Sequence, residues 1–354
     1  MAKVVVAGGA VMDFILRVPS WPQPSQAVQG RFSAEPGGKG LNQSVAAARL
    51  GADTAIISAM GDDPYGKEIR EILRHERVKL HVDVQEVLSK EDGTDVTAVI
   101  LPTDGHPGFI GCRRATEKLT PKYVEQAIDA IKKADVVLVT FDASIEAAQK
   151  VIELAKEAHK PIIINPAPPM EVPLTVLDGV DYVIPNEWEA REWVRLSAPE
   201  LLESPSGQLS DEEVGYKLVE QGAKVVIITL GLDGCLVVDR RGARHYPAFK
   251  VDAVDTTGAS DAFCAGLAVA FARSLDRRKG PKTREQEMIS FASAAGAQAC
   301  TRYGALRSMP SLDDVTAFLE THASLKPVAL PEEHLIEQQV SDEEPAPISA
   351  KSDG

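Results

Sequence analysis

The sequence predicts an α/β fold: a parallel sheet covered by helices on both faces, in a three-layer α/β/α sandwich. Three observations carry it. Short β-branched runs recur along the chain, and most are followed by an amphipathic, alanine-rich stretch of helical length, the alternation that builds a parallel sheet under crossover helices. The 354 residues, at roughly 150 per domain, also suffice for one large or two ordinary domains with a sizeable core.

Taken in order, strands are expected over residues 3–7, 54–59, 136–140, 161–165, 182–185 and 225–229, with 236–239 as an added edge. Helices are expected over about 42–50, 66–77, 144–159, 258–273 and 311–322. Thr120-Pro121 supplies an N-cap and a first-turn proline, while Ser210 with Glu213 and Thr283 with Gln286 read as capping boxes. Two segments break the pattern, because 14–32 and 94–112 are extended and turn-rich with no accompanying helix. They are expected to pair as a small separate sheet, a lid over a cleft at the ligand edge of the core. Residues 197–207 read as a surface loop. Beyond about Ser324 the chain carries Pro327, Pro331, Pro345 and Pro347 among Glu332, Glu333, Asp342, Glu343 and Glu344, too polar to bury much surface. Residues 1–323 are therefore expected to form the folded domain and 324–354 an acidic, disordered tail.

Lys plus Arg (38) against Asp plus Glu (52) leaves a net charge of −14. Such a mean field repels nucleic acid and anionic membranes, and neither is expected as a partner. The four cysteines, Cys112, Cys235, Cys264 and Cys300, lie far apart with no CxxC pair and no histidine at zinc spacing. They read as buried thiols in a reducing compartment. The start MAKVVVAGG lacks the basic-then-apolar pattern of a secretory signal, and no stretch reaches the ~18 apolar residues of a membrane span, so a cytoplasmic protein is expected.

Two phosphate-binding fingerprints of doubly wound sheets are missing. Gly38-Lys39 is followed by Gly40 rather than Ser or Thr, and no GxGxxG follows the first strand, which argues against a P-loop ATPase and a nicotinamide dehydrogenase. What does occur is Asp255-Thr256-Thr257-Gly258-Ala259-Ser260-Asp261, directly before an apolar helix. Unpaired N–H groups and the positive dipole end make such a helix start an anion site, and Gly258 and Ala259 admit a phosphate close to the main chain. Asp261 in that turn serves either as base for a nearby hydroxyl or as a mere complement to the dipole; the residues alone leave both open. A second cluster, Pro36-Gly37-Gly38-Lys39-Gly40-Leu41-Asn42-Gln43, also precedes a small-residue helix. It is either a tight turn or, with a cation and Asn42 beside exposed backbone, a polyol-binding loop.

Together the two clusters resemble the paired signatures of the ribokinase-like (pfkB) carbohydrate kinase family, over about residues 3–319. The resemblance extends to Asp13 just after the first strand, Met60-Gly61-Asp62-Asp63 with Gly66, and Asn165-Pro166-Ala167-Pro168. It also includes Pro185-Asn186-Glu187 with Glu189, Thr229-Leu230-Gly231 with Gly234, and Gly304. It implies a ribokinase-like sandwich with a β lid that often mediates homodimerisation. It further implies ATP-dependent phosphorylation of the primary hydroxyl of a pentose, D-ribose first, with another sugar or a nucleoside as the alternative acceptor. By resemblance Asp261 is the base, and the amides around Gly258, Ala259 and Ser260 hold the transferring phosphoryl group. Asp13, Gly38, Lys39, Gly40, Asn42 and Asp142 grip the sugar. Asn186 and Glu189 help organise Mg2+ and the nucleotide phosphates, Ser260 lies at the same phosphates, Thr229, Leu230, Gly231, Leu232, Asp233 and Gly234 line the nucleotide, and Ser293 lies near the adenine. A monovalent cation, K+, is expected beside Asp255, Thr257, Ala299, Arg302, Gly304 and Ser308, mostly through backbone carbonyls.

Four departures bear on the acceptor. Ser260 replaces the family's usual glycine, Val11 replaces an asparagine before the substrate aspartate, Cys112-Arg113-Arg114-Ala115-Thr116 replaces a small-residue stretch near the lid, and Asp142 replaces a longer glutamate. The reading from another class is a non-catalytic sugar-binding relative; the retention of Asp261, Gly258 and Ala259 argues against it.

Overall fold

The β-branched runs assemble into one large sheet whose strands are apolar on both sides. The computed structural model describes residues 1–81, 92–103, 108–203, 208–275 and 281–329. At the centre, β1 (Lys3–Ala7) lies between β4 (Asp53–Ile57) and β8 (Val136–Thr140), both parallel to it. β9 (Ile162–Asn165), β10 (Tyr182–Val183) and β11 (Val225–Thr229) continue the parallel array, and a two-residue β5 (Lys79–Leu80) extends it beyond β4. At the other margin β12 (Cys235–Asp239), β13 (Gly242–Tyr246) and β14 (Val328–Ala329) add on antiparallel.

The period of two along each strand sorts its side chains between two cores. Val5, Val137, Val139 and Ile164 face a layer of α5 (Ile145–Glu157), α6 (Glu187–Ser197) and α7 (Asp211–Glu220). Val4, Val136, Leu138 and Ile163 face α1 (Lys39–Arg49), α8 (Ala259–Ser274) and α9 (Pro281–Cys300). Burial on both faces explains why these strands read as continuous apolar runs. Small residues let α8 and α9 pack closely: a Cβ on Gly266 would lie 3.0 Å from Cα of Ala292.

A second sheet stands apart, in the order β3 (Arg31–Gly37), β2 (Val11–Val18), β6 (Asp95–Pro102), β7 (Gly108–Cys112). This is the small sheet expected from segments 14–32 and 94–112. Its first strand begins earlier, at Val11, and residues 19–30 between β2 and β3 are loop, because Pro19, Pro22 and Pro24 cannot continue a ladder. One face carries Asp13 and Thr97; the other exposes Leu16, Phe32 (64% exposed) and Ile110.

Several expectations are corrected by what the chain packs against. Residues 236–239 form a strand, but β13 and β14 lie outside it, so it is not the edge. β13 escapes a hydrophobic reading because Arg244 gives it a polar centre, satisfied by Asp239 and Glu285. The pairing of Val328–Ala329 with β13 carries ordered chain past Ser324; the rest of the expected tail, 330–354, lies outside the described residues. A helix does start there, the short α3 (Pro121–Val124) with Pro121 in its first turn, but Thr120 makes no side-chain cap; a 3-10 turn then leads to α4 (Ile128–Lys133). Ser210 and Glu213 do form a capping box. Thr283 does not start a helix, since α9 is already running at Pro281. Residues 199–202 of the expected loop form a 3-10 turn, and 204–207 lie outside the described residues. Cys112 is exposed on the lid, whereas Cys235 and Cys264 are buried and Cys300 half-buried; all four are free thiols. No helix among the described residues is long and apolar enough to cross a membrane.

Candidate active site

The carboxyl ends of β1, β8, β9, β10 and β11 open on one side of the sheet, where open α/β folds bind ligands. The two glycine clusters meet there. β3 of the lid runs directly into Gly38, which has φ +92° and begins α1. A Cβ on Gly38 would lie 2.8 Å from the Gly9 carbonyl oxygen, and one on Gly40 only 2.4 Å from the Gly8 carbonyl carbon. The glycines are thus required because the start of α1 lies flat on the end of β1.

No N-cap side chain satisfies α1; a carboxylate from elsewhere does. Asp142, just beyond β8, accepts from Lys39 N at 2.6 Å and Gly9 N at 2.7 Å, with Gly40 N at 3.4 Å and the Thr140 hydroxyl on the same group. Its oxygens, expected to grip a sugar, are occupied by the loop itself. The start of α8 is the opposite case. Gly258 adopts φ +84° and no side chain caps the helix, which leaves first-turn N–H groups for a ligand. A Cβ on Gly258 would lie 2.7 Å from Met309 Cε and 3.1 Å from Ala305 Cα, so only glycine fits the turn.

Asp261, in the first turn of α8, is 5% exposed. Asn42 Nδ2 donates to one of its oxygens at 2.9 Å, Gln43 Nε2 to the other at 3.0 Å, and Lys39 Nζ stands 4.0 Å away. Burial pushes the Asp261 carboxyl up, while Lys39 and the two amides pull it down. For Lys39 burial works against the charge, but Asp261, Glu189 and Asp142 outweigh it and hold the ammonium protonated. Asp13 faces the same group from the lid. Its carboxyl is pushed up to about 7 by burial, with a hydrogen bond from Thr97 opposing and the charges of Asp142, Asp261 and Glu35 adding.

Asn186 and Glu189 start α6 as a reciprocal capping box, Glu189 N donating to Asn186 Oδ1 at 2.7 Å and Asn186 N to Glu189 Oε2 at 2.9 Å. Glu189 is buried, and burial raises its carboxyl while the charge of Lys39 lowers it. An isolated bridge between Asn186 and Thr229 sets this turn beside the loop after β11. That loop closes with Leu230 N donating to Gly234 O at 2.8 Å; Asp233 presents its carbonyl to His245 at 2.6 Å and Leu232 is 89% exposed. Gly231 has φ +57° within the same turn. Ser293 is half-buried on α9, one turn before Gly296, whose Cβ would lie 3.2 Å from the Ala259 carbonyl oxygen. Ala259 N bonds back to Thr256, and Ser260 follows it in the open turn.

Asp255 ties together two of the other residues expected around a cation, Thr257 and Gly304. Its carboxylate accepts from Thr257 N and Gly304 N, both at 2.9 Å, and from the Thr257 hydroxyl at 2.6 Å. Burial raises this carboxyl, but the hydrogen bonds outweigh it and hold the group below its ordinary range. The Ala299 carbonyl accepts from Arg302 N, the Arg302 guanidinium is committed to Asp314 at 3.0 Å, and the Ser308 hydroxyl donates to Ala305. Arg302 therefore has only backbone to offer a cation. Among the described residues no three His, Cys, Asp or Glu side chains cluster as a metal site.

The signature of the pfkB family carbohydrate kinases matches residues 1–312. The chain belongs to that family. The kinase is 31% identical to the ribokinase of Bacillus subtilis over 90% of this chain and 100% of that protein. It is 29% identical to a fructokinase of Oryza sativa over 90% and 98%, and 26% identical to the deoxyribokinase of Salmonella typhi over 89% and 98%. The solved ribokinase of Thermotoga maritima superposes with a TM-score of 0.77 at 27% identity, covering 90% of this chain and 100% of that one. The ribokinase of Arabidopsis thaliana, solved with ribose and ATP, gives 0.74 at 25% identity, covering 90% and 99%. The kinase is thus an ATP-binding phosphotransferase of the ribokinase family, acting on carbohydrate.

Two residues of the kinase site were not picked out from sequence. Gln43 lies within the first glycine cluster and Asn165 at the proline turn after β9; both are fully buried and hydrogen-bonded in line with Asp261. The available signal is an amide pair, Asn42-Gln43, two and three residues after Gly40 at the start of a helix that continues as Ser, Val and Ala. Of the four departures, Val11 is buried beside Gly38, and Arg113 donates to the Phe141 carbonyl at 3.0 Å, next to Asp142.

Proposed function

We propose that this kinase transfers the γ-phosphoryl group of ATP to the primary hydroxyl of a pentose, converting D-ribose to D-ribose 5-phosphate. The observation that carries the reading is the buried Asp261 beside the uncapped start of α8, within reach of Asn42, Gln43 and Lys39. Asp261 takes the proton of the hydroxyl as its oxygen attacks phosphorus, and the bond to the leaving ADP oxygen breaks. The N–H groups of the turn around Gly258, Ala259 and Ser260, apart from that of Ala259 itself, which is bonded to the Thr256 carbonyl, receive the charge on the transferring phosphoryl oxygens. Lys39 adds a fixed positive charge, while Asp13, Asn42 and the turn 38–40 hold the sugar hydroxyls. Identity near 30% to ribokinases supports ribose as the acceptor.

The donor sets fit the two ions expected. Glu189 offers a carboxylate oxygen not used in its capping box, the hard oxygen donor that Mg2+ takes alongside water and phosphate. Held there, Mg2+ would neutralise charge on the nucleotide phosphates. Asp255, with carbonyls of Thr257, Ala299, Arg302, Gly304 and Ser308, would give K+ all-oxygen donors, and the ion held there would order the turn of Gly258. Leu16, Phe32 and Ile110, exposed on the outer lid face, suit burial against a second copy in a homodimer. Free thiols throughout suit the cytoplasm.

One observation favours a looser pentose kinase. With Asp142 committed to α1 and Val11 apolar, fewer polar groups are left to reject an acceptor lacking one hydroxyl. Measured turnover of 2-deoxyribose is the expected result. Coupled ADP release across pentoses, deoxyribose, hexoses and nucleosides tests both readings: ribose is expected to have the highest kcat/KM. A hexose or nucleoside preferred by tenfold or more overturns ribose and leaves the kinase class.

A further inference from the structure

Gln43 is fully buried in α1, and its side-chain nitrogen donates both hydrogens, to Asn165 Oδ1 and to Asp261 Oδ1, each at 3.0 Å. Asn165 is itself fixed, because its Nδ2 donates at 2.7 Å to the carbonyl oxygen of Ile184, which follows β10. The amide of Gln43 cannot be turned over, since its oxygen would then face two acceptors. That oxygen, Oε1, has no hydrogen-bond partner among the described residues. A buried amide that leaves its own oxygen unpaired is retained for what its nitrogen does, as an apolar side chain of the same shape would bury better.

We propose that Gln43, anchored by Asn165, is the positioning residue of phosphoryl transfer: it occupies Oδ1 of Asp261 so that Oδ2, beside Asn42, is the oxygen that takes the acceptor's proton. The inference rests on the reading of Asp261 as the base. The line from Ile184 through Asn165 and Gln43 ties the carboxylate to the central sheet, where a low dielectric strengthens each link. It also fixes the rotation of the carboxyl plane, since Asn42 holds the other oxygen at 2.9 Å. The charged or titratable groups facing Asp261 are Lys39 on α1, Asp142 after β8, Asp13 on the lid, Glu189 on α6 and Cys264 on α8 itself. The Lys39 ammonium stands on the same side, 4.0 Å from Oδ1 and beyond hydrogen-bond distance, so Gln43 is the donor bonded to that oxygen.

The test is the single-turnover rate against pH with saturating ribose and ATP. Gln43→Met keeps length and apolar volume but removes the donor. It is expected to slow transfer by roughly tenfold to hundredfold, to leave both KM values within about twofold, and to move the acidic limb upward by about one pH unit. Gln43→Glu, nearly isosteric, sets a second carboxyl against Asp261 and is expected to move the limb further in the same direction; it decides the matter should Gln43→Met fold poorly. Asn165→Ala should shift the limb the same way, with less than additive effect in Gln43→Met, because both act through one line of bonds. A wild-type limb in both Gln43 variants, or a loss expressed only in KM, overturns the proposal. Asp261→Asn separates it from the reading beneath it: full activity there sinks the base, whereas its collapse with an unmoved limb in the Gln43 variants sinks only the positioning role.

Discussion

Replacing Asp142 distinguishes a cap of α1 from a group that grips the sugar. The carboxylate accepts from Lys39 N at 2.6 Å and Gly9 N at 2.7 Å, while the 3.4 Å approach of Gly40 N adds little. Asp142→Ala leaves two well-made, partly buried N–H groups without an acceptor, at about 1–3 kcal/mol each. Partial access of water favours the lower half of that range, about 2–4 kcal/mol in all. At about 2–4 °C per kcal/mol for a large domain, Tm should fall by about 4–16 °C. Asp142→Asn, which keeps one carbonyl acceptor, should lose about half as much. Thermal unfolding without ligand and KM for ribose and ATP are the measurements. Because the capped turn carries Lys39 and Asn42, KM for ribose should rise together with the loss of Tm. A variant with Tm within about 1 °C of wild type and a ribose KM raised tenfold or more would refute the capping argument and return Asp142 to the sugar site.

Three further outcomes are expected. Asp261→Asn should lower kcat by roughly two to four orders of magnitude with ATP binding retained; more than about a tenth of the activity, where ~1.4 kcal/mol is tenfold, would make Asp261 a dipole complement only. Potassium in place of sodium at constant ionic strength should raise the rate, and equal rates in both salts or in an organic cation would count against a cation beside Asp255. Asp13, raised from the ordinary carboxylate range to about 7, binds its proton more tightly folded than unfolded. Its contribution therefore makes stability decline as pH rises between about 4 and 7, and Asp13→Asn should remove that part of the slope in urea unfolding measured across the window. An identical slope in the variant would mean that Asp13 ionises normally.

The fold was legible wherever a strand is buried on both sides, because such strands announce themselves without help from neighbours. Val136–Thr140 is buried throughout, with four apolar residues before Thr140, and its bounds match those read from sequence. β13 was not legible, since its Arg244 is satisfied by Asp239 on the adjacent strand and Glu285 on α9, partners that no local pattern reveals. The capping box at Ser210 lies within four residues and was read directly, whereas Thr283 has the same local letters inside a helix that begins earlier. Local chemistry nominates a helix start, and packing decides among the nominees.

The same limit governs the site. Both glycine clusters precede helices of small residues, and from sequence each presents a positive helix end. What separates them is Asp142, 103 residues from Lys39, whose negative charge closes the start of α1 while α8 stays open. The difference has a chemical consequence for the proposed reaction. A helix end already matched by a carboxylate offers little attraction to an anion and leaves its side chains, Lys39 and Asn42, to meet a neutral polyol. An uncapped end keeps its N–H groups and its dipole for a phosphoryl group whose charge grows during transfer. Asp261 lies in the open turn yet is held by amides from the closed helix, so the base sits where the two ligand types must meet. That arrangement gives a reason for Gln43 in α1: a carboxylate placed beside an anion site needs neutral donors to keep its proton-accepting oxygen aimed at the hydroxyl rather than at the backbone amides.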